Sequence, residues 1–460
     1  MSAASIVGIL VFVCGVPAVT AILLFSPKWR GLCITLMVFS TCHIKKPFYQ
    51  EVFYIFYRGV DRGYGVTIPD LFFFGFALHL LIKRPYQLRW LHPALILWLM
   101  VIFISILSLI NAGVVSYGLF TIHKFIRVSV LLWVMMNIIR DKRDIQAVLN
   151  GLIAALLFQG VTTLWSKYVS KTVVNRVSGS FNHPNAFAMY MDLILPVIWA
   201  AFMERILSPR AARWVLPALG MAFMCVIFTK SRAAIVLMPA TLFATTCLSF
   251  IMKPSSRKMT VAIVAMLAGV IVMSAALPTI IRRFEKAPKE SAETRDYFNV
   301  AAKAMAKDRF FGCGINQYAW TLKNTDYYWY MYPEALDLAD PEAFRESDHG
   351  ASRLGTAHNI YYLFIGETGY LGVTFYILVL FVIYMQILWT LLRAKDPQTR
   401  AVMCGLTCSF ALVYLHGTLE WVWRQTQTMY LYFILAGFMI AMAQRSKRIR
   451  TQLQQSPIQK

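Results

Sequence analysis

Apolar runs of about 16–23 residues recur along almost the whole chain, each long enough to cross the ~30 Å hydrocarbon core of a bilayer as a helix. Backbone N–H and C=O groups have no water to bond in lipid, so only helices or closed barrels can span it. A barrel strand alternates apolar and polar residues, whereas a run such as Val261 to Leu277 is apolar all round. The expected fold class is therefore an all-α polytopic integral membrane protein. Spans are expected near 5–25, 31–43, 67–82, 94–111, 119–138, 145–166, 184–203, 214–229, 233–252, 259–281, 370–392, 401–417 and 427–443. That is thirteen, or twelve if 31–43 is too short to cross. The composition agrees, with 58% hydrophobic residues, 15% charged and a mean hydropathy of +0.57.

The first run, roughly Ser5 to Phe25, has no basic residue before it and no convincing cleavage site, so it reads as a retained span. A net charge of +23 in a soluble protein would point to nucleic acid, but its distribution points elsewhere. Residues 282–358 hold 11 Lys and Arg against 12 Asp and Glu, leaving 34 basic and 10 acidic residues for the rest. The excess sits in short connectors: Lys83, Arg84 and Arg89; Arg140 to Arg143; Arg205 to Arg213; Lys253 to Lys258; Arg393 to Arg400; and the tail Arg445 to Arg450. Short connectors rich in Lys and Arg stay in the cytoplasm, which puts the C-terminus there and the segment 282–369 outside. Membrane lipids are thus an expected partner, with acidic lipid a further use for the tail, and nucleic acid is not. Of eight cysteines, seven lie in or beside spans and only Cys313 lies in the outer segment, so no intrachain disulfide is expected there; no Cys or His pairs have zinc spacing.

The chain then divides into N-terminal spans (1–144), a core (145–392) that includes the outer segment 282–369, C-terminal spans (393–443) and a basic tail (444–460). Arginines on the outer side run against the topological bias and need another reason. Arg176 stands in a loop, Asn175 to Asn185, built with Gly179 and with Pro184 suited to a first helical turn; a solvated loop is the plainer alternative. Lys230 and Arg232 share a very tight outer turn, where an anion site competes with snorkelling to headgroups. Lys124 and Arg127, at i and i+3, share a helical face in the outer half of a span, where phosphate is one candidate ligand and interfacial anchoring another.

Within the outer segment, residues 292–310 are helix-compatible and end at Phe311-Gly312-Cys313-Gly314. An aromatic run, Tyr327 to Tyr332, suits sugar stacking or a membrane interface. The acidic stretch 334–348 has no assigned role. His358 and Asn359 follow at the membrane boundary, and histidine is the side chain best matched to base catalysis near neutral pH, although a hydrogen-bonding structural role is the plainer reading.

Three pieces in order carry a family likeness: Gly179-Ser180-Phe181-Asn182-His183-Pro184-Asn185 after Arg176; Ser231-Arg232 opening a span; and His358-Asn359 followed by Glu367-Thr368-Gly369-Tyr370-Leu371-Gly372. With the aromatic-Gly-x-Gly turn at 311–314, they resemble the O-antigen ligase and polymerase superfamily over roughly residues 145–390. The resemblance implies an inner-membrane glycosyltransferase that takes a glycan from an undecaprenyl diphosphate carrier to a lipid A-core or other glycan acceptor. It would act on the periplasmic face, invert the anomeric carbon and use no metal or cofactor. By position, Arg232 and Arg295 match arginines held to bind the diphosphate, His358 matches the essential histidine, and Arg176 matches a basic loop residue. Lys124, Arg127, Lys230 and Asn359 join the candidate site on charge and proximity.

The residue types suit that chemistry. Arginines can hold the diphosphate and the charge that grows on it, while His358 takes the acceptor's proton, kept neutral by the cations around it. No Gly-x-x-x-x-Gly-Lys run for nucleotide phosphate is present. The competing readings are an O-antigen or exopolysaccharide polymerase, a protein O-glycosylating ligase and a transporter of lipid-linked sugar. Only one outer loop exceeds about 25 residues, which favours ligase over polymerase on the superfamily pattern. Asp192 inside a span has no partner readable from sequence.

Overall fold

A computed structural model describes residues 3–43, 49–55, 57, 59–83, 88–171, 176–285, 290–325 and 355–455. The aromatic run 327–332 and the acidic stretch 334–348 lie outside these residues. In chain order the helices are α1 (Ala3–Phe25), α2 (Arg30–Ser40), α3 (Ile68–Lys83), α4 (Pro93–Ser108), α5 (Val115–Ile138), α6 (Lys142–Leu164) and α7 (Pro184–Met203). Then come α8 (Pro209–Thr229), α9 (Arg232–Met252), α10 (Ser256–Glu285), α11 (Glu290–Asp308), α12 (Tyr318–Asn324), α13 (Ile360–Arg393), α14 (Pro397–Gly417) and α15 (Thr426–Gln455). Among the described residues nine helices are long and apolar enough to cross a membrane. The first two expected spans are instead two arms of one pair, 10–25 and 27–40, bent by 111°. Ser26 and Pro27 stand at the break, where proline restricts the residue before it to extended conformations. One departure from all-helical structure is a two-stranded antiparallel ribbon, Tyr49–Val52 with Tyr64–Thr67, pairing Tyr49 with Thr67.

Local sequence sets many of the helix ends. Proline occupies the first turn of α4, α7, α8 and α14, where its missing N–H is no loss. Side-chain caps come from His92, His183, Ser208, Asn359 and Asp396, and Asp141 with Asp144 forms a capping box on α6. The core is built around α7 and α15, whose apolar residues are almost all inaccessible. Helix α7 packs on α14, α9 and α8; α13 packs on α4 and α11; α15 packs on α5.

The basic connectors meet at one end of the bundle. Arg30 donates to Asp144 at 3.0 Å, Arg89 and Asn137 exchange hydrogen bonds at 3.0 Å, and Arg445 reaches Gln398 at 2.8 Å. Lys258 pairs with Glu204 and caps the carbonyls of Ser249 and Lys253 at 2.9 Å, where the end of α9 concentrates partial negative charge. The opposite end carries the segment 290–325 and the start of α13.

Candidate active site

The site is assembled at that opposite end by four elements. The loop 176–183 is pinned from below by Gln159 of α6, whose side chain bonds the Ser180 amide (3.1 Å), the Ser180 hydroxyl and the Cys42 carbonyl. Gly179 takes φ +53°, and a Cβ there would collide with Gln159, so both conformation and space call for glycine. The loop docks on the end of α8 through Val177 N to Phe228 O (3.1 Å) and Arg176 Nε to Thr229 O (2.9 Å). Lys230 then turns the chain into α9 with φ +51°, a left-handed conformation uncommon for lysine, and the amide of Ser231 bonds Thr229 Oγ1 at 3.1 Å.

The third element is the pairing of two stretches far apart in sequence. Cys313 N and Gly314 N donate to the carbonyls of Gly366 and Glu367 at 2.9 and 3.0 Å, so the turn 311–314 lies directly on the backbone of α13. Gly312 (φ +69°) comes so close that a Cβ would sit 2.6 Å from the Glu367 carbonyl carbon, and Gly369 (φ +69°) breaks the helical path of α13 against the Phe310 carbonyl. Asn316 staples this turn to the connection between the two ribbon strands and to α5, donating to Asp61 O (2.9 Å) and Tyr117 O (2.7 Å) and accepting from Val60 N (3.0 Å). Helix α11 is thereby held against α13, with Phe298 beside the His358 ring at 6.4 Å between centroids.

These elements enclose a cavity of about 440 Å³ lined by Arg176, Lys230, Arg232, Arg295, His358, His183, Asn185 and Glu420, with Leu419 and Ala233 among the other lining residues. That size suits a small-molecule site. Five of the residues expected from sequence, Arg176, Lys230, Arg232, Arg295 and His358, come together here. Asn359 stands next to them but caps α13, accepting from Tyr361 N at 2.9 Å and Tyr362 N at 3.3 Å.

Lys124 and Arg127 are placed elsewhere. Both are buried inside the bundle, Lys124 paired with Asp61 and bonded to Arg424 O (2.7 Å), Arg127 paired with Asp70 at 2.7 Å. Their shared helical face was legible, but the carboxylates that meet them lie about 60 residues upstream in sequence. Burial raises the pKa of Asp61, and the Lys124 ammonium and Arg424 guanidinium outweigh it, so the acid is held below its usual range. Asp192 likewise finds a partner: His416 Nδ1 at 2.9 Å, both side chains fully buried between α7 and α14.

The fourth element is the connector between α14 and α15, and it supplies a residue the sequence reading missed. Glu420 is a buried carboxylate at the hub of the cavity. Its Oε1 accepts from Arg295 (3.0 Å) and from Asn185 Nδ2, and its Oε2 faces His358 Nδ1 at 3.2 Å. Asn185 in turn accepts from Arg176 Nη2 at 2.7 Å, so one hydrogen-bonded chain runs from Arg176 to His358. Burial pushes the Glu420 pKa up, but the hydrogen bond from His358 and the charges of His358 and Arg295 prevail and hold it below the usual carboxylate range. When the His358 ring is neutral, an ionised Glu420 holds its one proton on Nδ1, which leaves the Nε2 lone pair for the cavity. The expectation of a histidine surrounded only by cations therefore changes: its direct partner is an anion. The expected spans 401–417 and 427–443 leave this connector between them, and its one acid was the available signal.

Below the cavity, Arg424 is fully buried against Glu367 of α13, and its carbonyl receives Lys124. This pair fixes the connector that carries Glu420 to the helix that follows His358. Among the described lining residues four cations stand with one carboxylate. The cavity can hold a polyanion while one oriented imidazole accepts a proton. Among the described residues no cluster of His, Cys, Asp and Glu has the makings of a metal site.

No curated protein matches the chain. Residues 217–377, about a third of its length, match the family model described as O-antigen ligase. The matched stretch carries Lys230, Arg232, Arg295 and His358, while Arg176, His183, Asn185 and Glu420 are brought to the same cavity from outside it. Through this third of its length the chain is similar to the O-antigen ligase family, and the match supports a place in the O-antigen ligase-like superfamily for this multi-pass membrane protein.

Proposed function

We propose that this protein transfers a glycan from an undecaprenyl diphosphate carrier to an acceptor sugar, with O-antigen as the glycan and lipid A-core as the acceptor. The reaction would take place on the periplasmic face of the inner membrane, with the C-terminus cytoplasmic. The observation that carries the reading is the joining of four cations and a carboxylate-held histidine in one cavity. Arg176, Lys230, Arg232 and Arg295 would grip the diphosphate and stabilise the charge it gains on leaving. Arg295 and Arg176 are already aimed by Glu420, Asn185 and Thr229, so little reorganisation is needed when the donor binds.

In the proposed step the acceptor hydroxyl gives its proton to His358 Nε2. Its oxygen forms a bond to the anomeric carbon from the face opposite the diphosphate, and the anomeric carbon–oxygen bond to phosphate breaks with its electron pair going to the leaving group. Configuration inverts. Glu420 stabilises the imidazolium that forms and keeps the ring in the right tautomer, the role a buried acid plays in triads. His358 then passes its proton to water.

The test is in vitro transfer by purified protein from a purified lipid-linked glycan, with lipid A-core, peptide or no added acceptor. Product on lipid A-core is expected, and it should vanish in His358→Ala and Arg232→Ala while both variants remain folded in the membrane. Extension of the lipid-linked glycan without acceptor would make the protein a polymerase, and glycosylated peptide a protein ligase. Transfer retained in both variants would remove the mechanism.

A further inference from the structure

His183 lines the same cavity and has no part in the proton transfer just described. It precedes Pro184, which holds it in extended backbone (φ −139°, ψ 133°) and places its ring as the N-cap of α7. Its Nδ1 accepts from Asn185 N at 3.2 Å. A nitrogen that accepts must carry a lone pair, so the ring is neutral and its single proton sits on Nε2. Burial comes first in pushing its pKa down; Glu420 opposes, and Arg176, His358 and Arg295 add to the depression. The imidazole therefore keeps an N–H at neutral pH, and Nε2 makes no hydrogen bond to any described residue.

Histidine is an unusual cap. Ser, Thr, Asn and Asp are preferred at that position, and any of them would satisfy the Asn185 amide. What histidine adds is a second nitrogen on the far side of a rigid ring. The same cap on α4, made by His92 with Ala94 N at 3.2 Å, does not line this cavity, so capping alone is one established use of the motif in this chain. The cavity is what sets His183 apart. Its two neutral rings are fixed in opposite senses: Glu420 holds the His358 proton on Nδ1, leaving a lone pair on Nε2, and the α7 cap leaves His183 with an N–H there.

Resting on the function proposed above, we infer that His183 is a further donor-binding residue, giving its Nε2–H to a phosphate oxygen of the lipid-linked diphosphate. The side of the cavity on which it stands supports that ligand: His183 shares a loop with Arg176, and Asn185 joins the two, bonding His183 through its amide and Arg176 through its side chain. A neutral donor there complements the cations. It adds a directed hydrogen bond to the oxygen whose charge grows as the glycosyl bond breaks, without adding a positive charge that would compete with Arg295 for Glu420.

The experiment compares His183→Asn, His183→Ser and His183→Asp, all good N-caps. Only asparagine can accept from Asn185 with its oxygen and still extend an N–H into the cavity. Kinetics with the lipid-linked donor and inhibition by inorganic pyrophosphate are measured with wild type and His358→Gln alongside, together with thermal stability. Ser and Asp should lose roughly 10- to 100-fold in kcat/KM, the worth of one hydrogen bond to a charged group, with weaker pyrophosphate inhibition. Asn should exceed both by at least about tenfold, with all three equally stable. Equal activity across the three substitutions, whether high or low, would overturn the assignment and leave His183 a cap. If wild type itself neither transfers nor is inhibited by pyrophosphate, the functional reading fails and this inference with it. If wild type transfers, His358→Gln does not, and the three His183 variants are alike, only the inference fails.

Discussion

Replacing Glu420 by glutamine removes one buried charge and almost nothing else. The amide keeps the shape of the side chain and one carbonyl oxygen, so Asn185 and Arg295 retain an acceptor. Two charge-assisted contacts are weakened, those to Arg295 at 3.0 Å and to His358 at 3.2 Å. The amide nitrogen also favours the His358 tautomer with a proton on Nε2, which has no lone pair for the acceptor. Hydrogen bonds to charged groups contribute about 1.5–3 kcal/mol each. Two of them, discounted for the relief of no longer burying a carboxylate, leave roughly 3–5 kcal/mol. At 1.36 kcal/mol per tenfold this is roughly a 10²–10⁴-fold fall in kcat, the range expected of a general base. KM for the donor should move by less than about tenfold, because Arg176, Lys230 and Arg232 are untouched. Single-turnover transfer in detergent or nanodiscs reads kcat directly. In a cycle with His358→Gln, the double variant should lose little beyond either single variant, since the two side chains act as one unit. A kcat within about threefold of wild type in well-folded Glu420→Gln would refute the dyad.

Acidification should reveal the same carboxylate. Its pKa is depressed in the fold, so its contribution to stability is fully present above the unfolded value near ~4.3 and is lost as pH falls through the lower folded value. Thermal melts should therefore converge between wild type and Glu420→Gln as pH drops below about 4, and parallel curves would argue against a depressed pKa. Glu367→Gln breaks the direct ion pair of the buried Arg424 and should destabilise by about 3–5 kcal/mol, seen as a lower Tm or lost folded yield. Lys124→Met should likewise lower stability through the stranded Asp61 while KM for the donor stays within about twofold; a large KM rise with normal stability would return Lys124 to the substrate site. Gly369→Ala forces a left-handed alanine against the Phe310 carbonyl and should remove roughly 2–5 kcal/mol, measured by the yield of monodisperse protein.

The fold class was legible because membrane solvation acts on local composition: a run such as 261–277 is helical whatever its neighbours, and a short basic connector such as 140–143 marks an end of the bundle on its own. The start of α7 was legible for the same reason, since Pro184 acts within its own turn, whereas α13 and α14 begin at Ile360 and Pro397, ahead of the spans expected from 370 and 401. Charge against the bias pointed to Arg176, Lys230 and Arg232, and the family likeness to Arg295 and His358; these five share one cavity. Lys124 and Arg127 show where that signal gives out. A basic pair on one helical face is the same string whether it meets phosphate or a carboxylate, and Asp61 and Asp70 reach it only through the packing of α3 and the first connector on α5.

The sequence by itself thus determined the helical membrane fold and pointed to five cavity side chains, through charge placement and short motifs, because these act within a few residues or with the solvent. Tertiary structure decided the partners. It set Phe311–Gly314 on the backbone of Gly366 and Glu367, joined Asp192 to His416, and bent 5–43 into two arms of one pair. It also brought Glu420, 62 residues beyond His358, beneath that ring. The physical reason is that a buried charge takes its meaning from whatever shares its low-dielectric surroundings, and those neighbours are chosen by helix packing rather than by distance along the chain.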